Sequence, residues 1–221
     1  MQMVKKYAYP SLTRTDTQAG RKYVTSTGEK LPSVTTILDK VKDKSFLIEW
    51  KNKIGEQEAQ RITTEAATIG TSLHKNLENY LEGKEFTGTI LAKKMAQKVI
   101  DNAFPKISEV WGSEVSLFSE GLYAGTTDLV GVWNGVPAII DYKNSRKEKK
   151  LEYIEDYRAQ LAAYALAHNE MFTEGEIKAG VVIVVTRDVK YQEFVFEGAD
   201  FEKNITIWLD KLTQYYKISQ D

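Results

Sequence analysis

The chain has 221 residues, enough for one large domain or two small ones, and its 42% hydrophobic content can supply a core. A formal net charge of −1 with 28% charged residues gives no global positive field, so any nucleic-acid partner has to be met by a local patch. No cysteine is present, which excludes disulfides, cysteine-ligated zinc and iron–sulfur clusters.

The N-terminal "MQMVKKYAYPSLTR" lacks a long apolar stretch, and no window approaches the roughly eighteen apolar residues of a membrane span. The expectation is one soluble intracellular domain over 1–221 with no membrane partner, cytoplasmic in a bacterium or a phage-infected cell. Residues 1–30 have no helical period, and the glycine in "TSTGEKLPS" predicts a short hairpin. Ser33 is placed to cap a short helix. From Ser45 to Gly83 the apolar positions Phe46, Leu47, Trp50, Ile54, Ala66, Ile69, Leu73, Leu77 and Leu81 recur at three and four, predicting two or three helices. A further helix runs through 88–104 and ends at Pro105.

Strands come next. "EVWGSEVSLFSE", "YAGTTDLVGVW" and "VPAIIDYK" are joined by Gly121 and Asn134-Gly135 turns, which predicts a three-stranded antiparallel meander. "YIEDYRAQLAAYALAHNEMF" follows as an amphipathic helix burying Ile154, Tyr157, Leu161, Tyr164 and Leu166. Two more strands, "IKAGVVIVVTRD" and "YQEFVFEG", lead to a last helix capped by Asp200. This order predicts an α/β (α+β mixed) fold, with a central mixed sheet flanked by helices over 106–221 and a mainly helical N-terminal lobe over 1–105.

Alternation puts Asp141 and Lys143 on one face of a strand end and Tyr142 on the other, with Asp128 across the hairpin. Two converging carboxylates repel unless a cation lies between them. Mg²⁺ takes such oxygen ligands and keeps waters, the Tyr142 carbonyl can add a ligand, and the lysine can act on the water or offset phosphoryl charge. His74 and Glu78 share a helix face, as do Gln160 and Tyr164. His168 reads as a surface or satisfied core residue.

These residues together resemble the PD-(D/E)XK nuclease superfamily, in particular its RecB-like exonucleases. The pattern is G-x-x-x-H-x-x-x-E (Gly70, His74, Glu78), then G-x-x-D (Gly125, Asp128), D-x-K (Asp141, Lys143) and Q-x-x-x-Y (Gln160, Tyr164). "LPSVTTIL" and the Trp-containing helix after it extend the likeness toward mitochondrial genome maintenance exonucleases and related phage exonucleases. The resemblance implies a restriction-endonuclease-like core and a metal-dependent DNA exonuclease acting on linear DNA with single-stranded ends. It also implies Asp128, Asp141 and His74 as ligands of Mg²⁺ or Mn²⁺, Lys143 as the catalytic lysine, and Gln160 and Tyr164 as an accessory catalytic pair.

Glu78 supports the ligands or the helix. Glu114 either faces the site or is an ordinary paired strand residue. An imidazole ligand makes Mn²⁺ acceptable beside Mg²⁺. The cysteine-ligated iron–sulfur branch of the family is excluded. In "KNSRKEKK", Arg146, Lys147, Lys149 and Lys150 form either a solvated face or a DNA-backbone contact, with Lys51, Lys53 and Arg61 as an opposite wall. Trp50 and Tyr80 either stack bases or belong to the core. The competing readings are an endonuclease of the same superfamily and a non-catalytic nucleic-acid-binding subunit.

Overall fold

The computed structural model of the protein describes residues 2–219. The N-terminal segment gives β1 (Gln2–Met3) and a small antiparallel sheet of β2 (Thr13–Thr17), β3 (Gly20–Val24) and β4 (Lys30–Pro32). Four helices follow: α1 (Val34–Val41), α2 (Ser45–Ile54), α3 (Glu56–Leu81) and α4 (Ile90–Ala103). The meander is β5 (Ile107–Ser119), β6 (Tyr123–Trp133) and β7 (Val136–Ser145). The crossover helix α5 (Glu155–Met171) then leads to β8 (Ala179–Thr186), β9 (Tyr191–Glu197) and α6 (Gly198–Ile218).

The main sheet has the order β1-β5-β6-β7-β8-β9, antiparallel through the meander and parallel between β7 and β8. It is the mixed sheet flanked by helices that the sequence pattern predicts. Period-two alternation divides β8 between two cores. Val181, Ile183 and Val185 pack with Leu73, Leu77, Met95 and Val99 of α3 and α4, whereas Val182 and Val184 pack with α1, α5 and α6. A strand covered on both faces reads as an unbroken apolar run, and all eight residues of β8 are buried. Among the described residues no helix is long and apolar enough to cross a membrane.

Local signals explain most boundaries. The Ser33 hydroxyl accepts from the Thr36 amide at 3.0 Å and starts α1. Asn134 and Gly135, at φ 46° and 87°, make the turn between β6 and β7. The last helix departs from expectation. It begins at Gly198 with Glu197 in the cap position, and Asp200 lies inside its first turn, bound to Lys203 at 2.7 Å. Helix α5 is not a one-faced amphipathic helix either. It is wedged between the sheet and α6, and Ala159, Ala162, Ala163, Ala165 and Ala167 are all buried. Ile154 precedes it, and Tyr157 and Leu166 are only half-buried. The third departure is α2, which buries none of its residues and leaves Phe46 78% exposed.

Candidate active site

The site lies where β6 and β7 separate. Their ladder runs from Trp133↔Val136 to Leu129↔Ile140 and goes no further, while β7 continues alongside β8 to Ser145. Beyond that point the Asp128 side chain takes the place of a backbone partner, and its Oδ2 accepts the Tyr142 amide at 2.7 Å. Asp141 and Lys143 therefore face the α5 side of the sheet, while Tyr142 is buried among α3 and α4 side chains.

Helix α3 brings His74 over the end of the sheet. Its Nε2 lies 2.9 Å from the Tyr142 carbonyl oxygen, which can only accept, so Nε2 carries the hydrogen. That bond aims Nδ1 at Asp128 Oδ1, 3.3 Å away, and at Glu114 Oε1, 3.8 Å away. Burial by itself would lower the pKa of His74, but the charge of Asp128 and the hydrogen bonds that Asp128 and Glu114 accept from the ring raise it to about 10. A proton and a divalent cation compete for the same place at Nδ1.

One ligand atom each from His74, Glu114 and Asp128 lies within 4.8 Å of the others. Two carboxylates and an imidazole nitrogen whose opposite nitrogen is pinned by a carbonyl fit a divalent ion. Glu114 reaches the cluster through a backbone kink. It has φ 52° and lies between the Ser113↔Leu129 and Val115↔Thr127 pairs, opposite Asp128.

Asp141 is engaged differently. Lys143 Nζ donates to its Oδ1 at 2.7 Å and lies 2.6 Å from Oδ2. Burial raises the Asp141 carboxyl to about 6, with Asp128's charge adding to the rise and Lys143 opposing it. For Lys143, burial favours the neutral amine, but the charges of Asp141 and Asp128 prevail and raise its pKa, so it stays an ammonium. For Asp128, burial is outweighed by His74, Lys143 and the Tyr142 amide, and its carboxyl is lowered. Glu78 lies one turn beyond His74 and is bound by Lys75 at 2.8 Å.

The motif glycines are spacers. A Cβ on Gly125 would sit 2.7 Å from Cε1 of Tyr164 and 2.9 Å from its hydroxyl oxygen. Glycine there lets the ring enter beside β6, where Gln160 Nε2 donates to the hydroxyl at 3.4 Å. A Cβ on Gly70 would meet Asn144 Nδ2 at 2.6 Å, and Asn144 donates to the Ala66 carbonyl of α3 at 3.3 Å. Both glycines let an element approach closely, α5 against β6 and β7 against α3.

Further out, Arg146, Lys147 and Lys149 share a cavity of about 1090 Å³ with Phe46, Trp50 and Tyr153. The loop is held by Gln192, which accepts from the Lys149 amide at 2.7 Å. Lys150 lies near Glu152, 3.8 Å away, outside that lining. Lys51 and Lys53 are exposed on α2, and Arg61 is bound to Glu58 at 2.7 Å. Tyr80 lies against Phe104, with ring centroids 5.2 Å apart. His168 is fully buried and its Nε2 is 3.4 Å from the Tyr9 hydroxyl.

Two residues facing the site were not anticipated from sequence. Arg14 and Arg21, on β2 and β3, line a cavity of about 270 Å³ together with His74, Glu114, Asp128 and Lys143. The alternation in "TRTDT" and "GRKYV" was the available signal.

A splayed strand pair that presents Asp128, Asp141 and Lys143 to a helical histidine resembles the nuclease core that the sequence pattern implies. Comparison with known proteins points the same way. The chain is 29% identical over 199 residues to Mitochondrial genome maintenance exonuclease 1 of Mus musculus, covering 84% of this chain and 59% of that one. It is 27% identical over 200 residues to the Homo sapiens protein of the same name, covering 84% and 58%. The chain thus spans less than two thirds of the length of these relatives. No protein-family model matches. A crystal structure of SSO0001 aligns with TM-score 0.44 at 18% identity, covering 82% of this chain and 74% of that one.

Proposed function

We propose that the protein is a divalent-metal-dependent DNA exonuclease that hydrolyses phosphodiester bonds from linear ends, taking them as single strands. The observation that carries this reading is the convergence of His74 Nδ1, Asp128 and Glu114 beside the Asp141–Lys143 pair. The relatives' designation as exonucleases supports it.

His74, Glu114 and Asp128 would hold Mg²⁺ or Mn²⁺, with Asp141 joined to that site through Lys143, which lines the same cavity. Such an ion supplies positive charge that polarises a phosphoryl oxygen and makes water more acidic. The chain's own residues do the rest. Water adds to phosphorus in line with the leaving oxygen and gives up a proton, the P–O bond to the leaving oxygen breaks, and the departing alkoxide takes up a proton from solvent to leave as an alcohol. Lys143 is kept charged by Asp141, so it donates to the phosphoryl oxygen that gains charge. Tyr164 and Gln160 pack behind Asp128 through the Gly125 gap and fix the face on which attack occurs.

The cleft between α2 and the 146–153 segment suits an unstacked strand. Arg146, Lys147 and Lys149 meet phosphates, and Phe46, Trp50 and Tyr153 offer faces for bases. Residues 1–221 act as one unit in this scheme.

The test uses end-labelled linear and covalently closed circular DNA, single- and double-stranded, with Mg²⁺, Mn²⁺ or EDTA. Linear single strands should shorten progressively from their ends in metal and persist in EDTA. Cutting of circles would favour the endonuclease reading, and survival of every substrate would favour a binding subunit.

A further inference from the structure

We propose that Arg14 and Arg21 form a phosphate subsite on the β2–β3 hairpin, gripping a phosphate of the bound strand next to the one being cut. This rests on the nuclease reading above.

The register of the hairpin aims both side chains. Arg14 pairs with Tyr23 and Asp16 with Arg21, so these four residues share one face. Tyr23 is buried, and its hydroxyl lies 3.2 Å from Thr126 Oγ1 of β6, two residues from Asp128. The face that docks on the catalytic strand is therefore the face that carries the guanidiniums. Both arginines line the 270 Å³ cavity over Asp128 and Lys143, and also a second cavity of about 470 Å³ that contains His74, Lys75 and Glu78.

The arginine backbone is fixed before any ligand arrives. The Arg21 amide donates to Thr36 Oγ1 at 2.8 Å, and its carbonyl accepts from the Ser33 amide at 3.0 Å and from Thr36 Oγ1 at 3.1 Å. Gly20, at φ 118°, makes the turn, and a Cβ there would strike Thr36 Cγ2 at 2.5 Å. Asp16 orients the side chains. Its Oδ2 accepts Nε and Nη2 of Arg14 at 2.9 and 2.6 Å, and its Oδ1 accepts Arg21 Nε at 2.8 Å.

A purely stapling role for these bonds is weak, because exposed pairs of this kind contribute little and the hairpin is already held by Tyr23 and the α1 contacts. Among the described residues, both terminal amino groups of Arg21 lack a side-chain partner. Charge gives the same answer. An ion at the cluster balances Asp128 and Glu114, Lys143 balances Asp141, and Lys75 balances Glu78. Asp16 then balances only one of the two guanidiniums, so the hairpin supplies the net positive charge facing the cavity. A planar fork with free N–H groups matches phosphate oxygens.

The phosphate is either a backbone diester or a monoester at a strand end, and the substrates distinguish them. Wild-type, Arg14→Gln, Arg21→Gln and Arg21→Lys proteins would be assayed in Mn²⁺ on short linear strands. One set carries a phosphate or a hydroxyl at each end in turn, and another carries a neutral methylphosphonate beside the cleaved bond. Both Gln variants should raise KM about tenfold or more with a smaller change in kcat, and Arg21→Lys should recover part of the loss. Removing the recognised phosphate should weaken the wild type by a similar factor and the Gln variants hardly at all. The substrate set that shows this non-additivity names the source.

Anisotropy with the same strands in EDTA reads the subsite without cleavage. An inactive wild type whose binding still depends on Arg21 would sink the nuclease reading alone. Wild-type KM and binding in both Gln variants would overturn the subsite, as would equal losses in wild type and variants on every substrate.

Discussion

Lys143 is the residue on which the proposed mechanism turns. It is half-buried beside the fully buried Asp141, and the pair is worth most as oriented charge, because losing the lysine strands a buried carboxylate. His74 is the complement, a side chain held through Nε2 so that Nδ1 faces Asp128 and Glu114. Asp128, Asp141, Lys143 and His74 could be named from sequence because their ordered spacing resembles a known family's motif set, with each on the strand or helix that the pattern requires. The division of labour among the acids could not. Whether Glu114 points at His74 depends on a single left-handed φ and on skipped pairing in β5, and neither leaves a periodic trace. The partner of Gly70 was equally hidden, since it is Asn144 from a distant strand. A double-mutant cycle checks it. Gly70→Ala alone should gain nothing, because its Cβ meets Asn144 Nδ2 at 2.6 Å. In an Asn144→Ala background the same change should stabilise by about 0.5–1 kcal/mol, the helix preference of alanine over glycine, measured by urea unfolding. Equal effects in both backgrounds would contradict the close-approach account.

Among the elements, α2 separates pattern from packing. Phe46, Leu47, Trp50 and Ile54 have helical spacing, and the helix forms, but it stays largely open: among the described residues none of α2 is buried, and only Trp50 and Ile54 are half-buried. Periodicity reports that a face is apolar and does not say what it meets. Here that face borders the basic loop after β7, whose residues suit a polyanion. If Phe46 and Trp50 serve a ligand, Phe46→Ala and Trp50→Ala should leave unfolding stability within about 0.5 kcal/mol of wild type, the usual range for surface changes. Each should weaken binding of single-stranded DNA by about 1–3 kcal/mol in a fluorescence titration. A loss of several kcal/mol in stability would return them to the core. The alanine-rich α5 teaches the opposite lesson. Its spacing suggested one buried face, but a helix enclosed by sheet and α6 is buried nearly all round.

At the scale of the molecule, the order of strands and helices was readable because turn signals at Gly121 and Asn134-Gly135 and the apolar run of β8 mark the elements. The pairing of Gln2 and Met3 with Glu109 and Val110, and the docking of the β2–β3 hairpin on β6, were not, since both depend on contacts far apart in sequence. The N-terminal segment also seals an aromatic cluster, Tyr7, Tyr9 and Phe172, around buried His168. Burial lowers the His168 pKa to about 4, with Lys6 contributing in the same direction. The unfolded chain, with an ordinary histidine near 6.5, then binds more protons than the folded one between those values. Stability from this group is complete above about 6.5 and is lost as pH falls toward 4. His168→Gln protein should lose less stability than wild type between pH 7.5 and 4.5, by roughly 1–3 kcal/mol in urea titrations. Identical losses would mean that the ring is not held neutral.

The central claim is that the Asp141-bound ammonium of Lys143 stabilises charge on a phosphoryl group beside an ion held by His74, Glu114 and Asp128. Single-turnover cleavage of a labelled linear single strand in saturating Mn²⁺ tests it, comparing wild type with Lys143→Met, which keeps the length of the side chain and removes its charge. The account predicts a rate lower by about 10²–10³ with Mn²⁺ affinity, read by calorimetry, within about threefold of wild type. A Lys143→Met rate within about threefold of wild type would contradict it.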